Sequence, residues 1–153
     1  RKLIAAFSEV AAELDDVHLV LVGEGTEKLR GTRISGVGYV NDVRPYFADA
    51  DLLVNPSQTE SFPTVVLEAM SCGVPCVVTR TGASADLVGA TGFVTNLEAG
   101  SIAETLRTTL MLGREVLQAR GQAARARAIE RFSDRRAEDA YYQFLLQSAR
   151  HAA

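Results

Sequence analysis

Apolar residues at Leu3, Ile4, Phe7, Val10, Ala11 and Leu14 recur at three- and four-residue intervals, which puts them on one face of a helix beginning at Arg1. Asp15 and Asp16 end that pattern, and the apolar run from His18 to Val22 stops at Gly23. An unbroken run of this length predicts a strand buried on both faces. Further short apolar runs lie at 34–40, 52–55, 76–79 and 93–94, with helical spacings at 43–48 and 63–72 between them. Strands alternating with helices predict an α/β fold, a Rossmann-like parallel sheet with helices on both faces. From Ser101 the pattern is helical only: one helix to Leu112, a second over 114–132 and a third after Ser133, a suitable N-cap. No repeat and no low-complexity linker divides the chain, so residues 1–153 are expected to form a single domain.

Composition narrows the class. At 47% hydrophobic and 23% charged residues, the 153-residue chain is an ordinary globular sequence, long enough to bury a core without disulfides or a structural metal. No apolar run approaches the ~20 residues that span a bilayer, and residues 1–22 lack the apolar stretch of a secretory signal. A cytoplasmic protein is expected, with peripheral attachment at the inner face of the membrane as the alternative. A net charge of -3 argues against nucleic acid as a partner, because such binding relies on neutralising phosphates. Residues 1–113 carry 8 basic and 14 acidic groups and residues 114–153 carry 8 and 5, so the tail is mildly basic. Its arginines, spread among alanines and acids, read as a solvated helix face rather than a membrane patch. Cys72 and Cys76 have no neighbouring histidines to complete a zinc shell and are expected to be buried, reduced thiols.

Ligands of such sheets bind beyond the carboxyl ends of the strands, so the informative residues lie just after each apolar run. Three segments are expected to converge on one edge of the sheet: 23–25 (Gly-Glu-Gly), 55–62 (Asn-Pro-Ser-Gln-Thr-Glu-Ser-Phe) and 80–83 (Arg-Thr-Gly-Ala). The first has the opening of a dinucleotide fingerprint, but Lys28 stands where the third glycine belongs, which leaves a permissive turn or a ligand-facing loop. Asp49 and Asp51 have the spacing of a metal-holding pair, yet they read better as the end of a helix and the approach to the next strand.

The helix predicted from Pro63 carries the strongest local signal, since proline suits a first helical position. Val65, Val66, Leu67, Ala69, Met70 and Cys72 make it largely apolar, whereas Ser61, Thr64, Glu68 and Ser71, spaced 3, 4 and 3, fall on one line. That line is either the solvent edge of the helix or the wall of a cleft. The helix start would offer free amides at Thr64 and Val65 together with the positive pole of the dipole, a ready phosphate site. Glu68, one turn further in, is suited to accept hydrogen bonds from vicinal hydroxyls such as those of a ribose. Glu60, in the preceding loop, lies at the other end of such a site, and the pair suggests a nucleotide sugar.

At these residues the sequence resembles the carboxyl-terminal half of retaining glycosyltransferases of the GT-B fold, the group 1 type that includes bacterial polysaccharide and glycolipid sugar transferases. The resemblance runs through 21–25 (Leu-Val-Gly-Glu-Gly), 38–40, 50–57, 60–78 and 91–94, and 130–133 resembles the approach to the family's last helix. It implies that Glu68 holds the donor ribose, that amides around Phe62, Thr64 and Val65 hold the diphosphate, and that Glu60 lies near the transferred sugar and takes part in catalysis. It further places Gly23, Ser61 and Val40 at the donor, with the loop from Tyr39 to Asn41 bordering the nucleobase through its main chain. The implied partner is a UDP-, GDP- or ADP-sugar, without metal or other cofactor. Ser61 and Pro63 depart from the small residue and glycine usual in the motif, and Pro63 removes one amide from the phosphate cradle. The family's basic pair, its first strand and its acceptor-binding half are all expected ahead of Arg1, so this chain alone should not turn over. Arg1 and Lys2 do not fill the basic pair's place. Rival readings are a sugar-nucleotide epimerase half of the same fold, a non-catalytic nucleotide-binding or docking module, and a receiver-type signalling domain. The last would want an acidic cluster where this chain has glycines and Glu60.

Overall fold

A computed structural model of the chain describes residues 1–133 and residue 136. Its elements follow in the order α1 (Lys2–Ala11), β1 (Leu19–Val22), β2 (Arg30–Gly31), β3 (Ile34–Gly38), α2 (Arg44–Asp49), β4 (Leu53–Asn55), α3 (Thr64–Ser71), β5 (Cys76–Thr79), α4 (Ser84–Val88), a 3-10 turn (Gly89–Thr91), β6 (Phe93–Thr95), α5 (Ala99–Leu110) and α6 (Arg114–Phe132). The helix expected after Ser133 lies outside the described residues.

The strands form two three-stranded sheets, ordered β1-β3-β2 and β4-β5-β6. β1 runs parallel to β3, and β4, β5 and β6 are mutually parallel, with Leu53 opposite Cys76 and Val77 opposite Phe93. The two-residue β2 departs from the parallel pattern, pairing antiparallel with β3 through a turn in which Arg33 takes φ 58. The guanidinium of Arg33 donates to the carbonyls of Ala11 (2.6 Å) and Leu14 (2.9 Å) and pairs with Asp15 (2.8 Å). It thereby satisfies carbonyls at and beyond the end of α1 that have no helical partner.

β5 is the buried centre of the second sheet. Cys76 and Val78 pack on one face with Val66, Ala69 and Met70 of α3, Leu87 and Val88 of α4, and Ala124 and Ala128 of α6. On the other face Val77 meets Ala6 and Val10 of α1 and Ile102, Ala103 and Leu106 of α5. Each fully buried aliphatic side chain of this kind stabilises the fold by roughly 1.5–3 kcal/mol relative to exposure. A third cluster joins Phe7 and Ala11 of α1 to Ile34, with Leu19 and Leu21 packed against it, so α1 straddles both sheets. Arg107 of α5 clasps α1 and the turn after it through Glu9 (3.2 Å) and Glu13 (2.6 Å), and its hydrogen bond holds the Glu13 carboxyl below the usual carboxylate range.

Other expectations change as well. The run 18–22 is not buried on both faces: β1 alternates, with Val20 45% and Val22 38% exposed, and Val37 of β3 is also open. The reason is that residues 24–33 form a loop and β2, where a helix would have been needed to cover that side. Cys72 is exposed, because it caps α3 on the helix's outer face, whereas Cys76 is buried; both are free. Val65 is exposed as well, so α3 buries one face instead of most of its surface. Finally, two α6 arginines are half-buried and bonded to the fold rather than fully solvated. Arg120 donates to the Ala90 carbonyl at 2.7 Å and lies 5.2 Å over the Phe93 ring, and Arg127 bonds to carbonyls of α4. Among the described residues no helix is long and apolar enough to cross a membrane.

Candidate functional site

α3 is the element around which the candidate residues gather. Pro63 is buried and takes φ -78, ψ 96, an extended conformation that makes it the cap, so the helix proper opens at Thr64, one residue later than proline's preference suggests. The first helical bonds run from the amides of Val66 (3.1 Å) and Leu67 (3.4 Å) to the Pro63 carbonyl. The Thr64 and Val65 amides precede that ladder, and no side chain caps them. Val66, Ala69 and Met70 turn inward, and Ser61, Thr64, Glu68 and Ser71 are all exposed. Ser71 drops out as a ligand candidate because its hydroxyl donates to the Leu67 carbonyl of its own helix (2.8 Å). Among the described residues neither Glu60, which is half-buried, nor the exposed Glu68 has an ion-pair partner.

The loop before α3 rests on the loop after β5. The Thr79 hydroxyl, itself buried, donates to the Ser57 carbonyl at 2.6 Å, and Ser57 in turn donates to Oδ1 of Asn55 at 2.8 Å. The Ala83 amide donates to the Ser61 carbonyl at 3.2 Å. Gly82, at φ +50, passes so close beneath the loop that a Cβ there would stand 1.7 Å from the Glu60 carbonyl oxygen. Two of the three segments read from the sequence, 55–62 and 80–83, are thus bonded together. The tight Gly82 approach was silent in the sequence beyond the presence of a glycine after a strand.

The third segment, Gly23 to Gly25, follows β1 on the other sheet. Gly23 (φ +132) and Gly25 (φ +81) need glycine's backbone freedom, and a Cβ at either would meet nothing within 4 Å, so the loop surface is open. Thr26 organises this corner: its hydroxyl donates to the Leu21 and Gly23 carbonyls and accepts from the Gly38 amide at 2.9 Å. The loop that follows has Tyr39 74% exposed and Val40 half-buried. Phe62 is 44% exposed beside the start of α3. Asp49 closes α2, while Asp51 faces Arg114 at 3.5 Å, so the two carboxylates serve separate structural ends. Among the described residues no three His, Cys, Asp or Glu side chains gather closely enough to hold a metal ion.

Residues 1–111 match the profile of the family described as Glycosyl transferases group 1. The chain is 30% identical to N-acetyl-alpha-D-glucosaminyl L-malate synthase of Bacillus anthracis, over 94% of this chain and 42% of that protein. It is 29% identical to the lipopolysaccharide core biosynthesis glycosyltransferase LpsE of Rhizobium meliloti, over 95% and 46%. Among solved structures, HepE of Anabaena, in complex with UDP and glucose, superposes with a TM-score of 0.77 at 26% identity, over 94% of this chain and 43% of that one. The chain therefore spans less than half the length of these relatives.

Proposed function

Because the chain belongs to the glycosyl transferases group 1 family, we propose that it is the donor-binding half of a GT-B hexosyltransferase. In this reading the complete protein transfers a sugar from a nucleoside-diphosphate donor to an acceptor with retention of configuration, in polysaccharide or glycoconjugate synthesis. The observation that carries it is the start of α3, where two amides without a side-chain cap, Thr64 and Val65, lie between two carboxylates that have no cationic partner among the described residues, Glu60 before them and Glu68 one turn beyond. The amides and the helix pole meet the diphosphate, and Glu68 accepts hydrogen bonds from the ribose. Phe62 and Ser61 flank the phosphates, and Gly23 and Val40 border the nucleoside. Glu60 faces the transferred sugar, and transfer proceeds on the front face as the departing diphosphate is stabilised by the helix end and by the family's basic pair. That pair and the acceptor site belong to sequence ahead of Arg1, so the 153-residue chain binds donor without turning it over. The reading carries with it a cytoplasmic enzyme, peripheral at the membrane if its acceptor is a lipid.

Amide NMR of the 153-residue chain titrated with UDP, GDP and ADP tests the site directly, since it detects affinities as weak as about 1 mM. Shifts at 39–41 and 61–68 with one of the three are expected. In the full-length enzyme Glu68→Ala is expected to weaken donor affinity roughly 10- to 100-fold, the equivalent of hydrogen bonds to a charged group worth ~1.5–3 kcal/mol. Glu60→Ala is expected to leave affinity near wild type and lower kcat by about 100-fold or more. Unchanged donor affinity in Glu68→Ala overturns the ribose assignment, and an epimerised nucleotide sugar as product overturns transfer itself.

We also propose that a strand ahead of Arg1 completes the domain by joining the two sheets. β1 and β4 each end their sheet with one edge unpaired. Both lie under α1, through Leu19 and Leu21 in one cluster and Val54 in the other. An intervening strand sets β1 and β4 about 9.6 Å apart, close to the ~10 Å width of the helix that covers them. The amides of Leu19 and Leu53 point into their own sheets, so those of Val20 and Val54 point outward. Hydrogen exchange at Val20 and Val54 is expected to be at least about tenfold slower in the full-length protein than in the 153-residue chain. Equal rates in the two would leave the edges unpaired and refute the proposal.

A further inference from the structure

The loop from Glu60 to Phe62 has no regular structure of its own, and its geometry depends on what it leans against. One support is the Gly82–Ala83 turn beneath it. The other is α6: the Phe62 ring packs on Phe132 with centroids 6.2 Å apart and planes tilted by 60°. A single α6 side chain links the two supports. Arg127 lies 5.9 Å over the Phe132 ring, and its Nε and Nη2 donate to the carbonyls of Leu87 (2.9 Å) and Asp86 (2.5 Å). Those carbonyls end α4, the five-residue helix that starts directly after Ala83.

A helix of five residues is far too short to hold itself, and its terminal carbonyls carry the negative end of its dipole. A guanidinium fits that end as a planar fork with two charge-assisted bonds. Gly89 shows how closely the backbone is fitted beneath it: at φ +51, a Cβ there would lie 2.7 Å from the guanidinium carbon. Beside this clamp a hollow of about 290 Å³, bounded by Phe62, Asp86, Arg131 and Phe132, leaves the loop without solid packing on that side. The loop is therefore held by few contacts, and Arg127 governs both sets.

We infer that Arg127 is a positioning residue, which sets the placement of the Glu60–Phe62 loop by fixing α4 from below and Phe132 from the side. The kinetic part of this inference rests on the catalytic reading of Glu60; the structural part does not. Arg125, exposed on the same helix, is the control. In the 153-residue chain Arg127→Gln is expected to shift the amide signals of Glu60, Ser61, Phe62, Gly82 and Ala83 while leaving those of β1 in place, and Arg127→Lys to restore them in part. In the full-length enzyme Arg127→Gln is expected to lower kcat about tenfold or more with a smaller, few-fold rise in donor KM, because the loop carries Glu60 together with Ser61 and Phe62, whereas Arg125→Gln leaves both unchanged. Should Arg127→Gln fail to fold, Phe132→Leu keeps the bulk and removes the ring on which Phe62 leans, and the same loop signals are read. Loop amides that stay in place in the folded variant overturn the inference. Loop amides that move while Glu60→Ala retains full turnover uphold the clamp and remove the catalytic role of Glu60.

Discussion

Gly82→Val is expected to cost the full-length enzyme about 100-fold or more in turnover, the scale on which displacement of a catalytic group by an ångström is felt, while the protein stays folded. The valine Cβ would stand 1.7 Å from the Glu60 carbonyl oxygen, 2.7 Å from its carbon and 3.0 Å from the Ser61 oxygen. All three are backbone atoms, so no rotamer change relieves the contact, and either the loop lifts or the 80–83 turn retreats. Both movements break the Ala83 to Ser61 hydrogen bond and take from the Glu60–Phe62 loop the support beneath it. The left-handed backbone at φ +50 adds roughly 1–2 kcal/mol of strain for any residue with a Cβ. Gly82 lies outside the apolar clusters, so the core is untouched and the melting temperature should fall by only a few degrees. Gly25→Ala separates strain from collision, because Gly25 also has positive φ (+81) but its Cβ would meet nothing within 4 Å. Turnover in Gly82→Val within a few-fold of wild type, measured beside a thermal melt, would remove the support assigned to this turn.

Gly121→Leu is expected to be strongly destabilising, by about 3 kcal/mol or more, with a melting temperature lower by about 10 °C. α6 meets α3 along a stripe of Leu117, Gly121, Ala124 and Ala128, all buried. At Gly121 the helix comes so near the turn after α3 that a Cβ would be 1.9 Å from the Gly73 carbonyl oxygen and 3.2 Å from Pro75 Cδ. Glycine inside a helix costs about 0.5–1 kcal/mol relative to alanine, and here the close approach offsets it by letting Ala124 and Ala128 reach the core of α3 and β5. A leucine forces α6 outward and uncovers that core. Thermal denaturation of Gly121→Leu beside Gln122→Leu, an exposed neighbour, measures the difference. Equal melting temperatures would mean that α6 docks less tightly than these distances require.

Much of this was legible from spacing alone. The four-residue apolar run of β5 marked a strand, and the spacing of Thr64, Glu68 and Ser71 placed an exposed line on α3, with Ser61 exposed in the loop before it. What stayed hidden has a common cause, since it depends on backbone atoms. β2 is two residues long and has no period to detect. Arg127 and Arg120 bond to carbonyls, which leave no mark in the sequence, so they looked like the exposed arginines around them. The alternation of β1 was masked because Val20 and Val22 are as apolar as the inward Leu19 and Leu21; only the absence of a helix over 24–33 exposes them. The fit of Gly82 under Glu60 is likewise a meeting of main chains.

The unequal setting of the two cysteines gives the molecule a built-in attachment point for a reporter. Cys76 is 1% exposed, and burial pushes its thiol up to about 12, so it holds its proton at neutral pH and is closed to reagents. Cys72 stands in solvent at the end of α3, four positions along from Glu68 and therefore on the neighbouring turn of the same side. On the 153-residue chain a fluorophore or spin label attached through a maleimide reaches Cys72 alone and reads out events at the open face of the helix whose other end is proposed to grip the diphosphate.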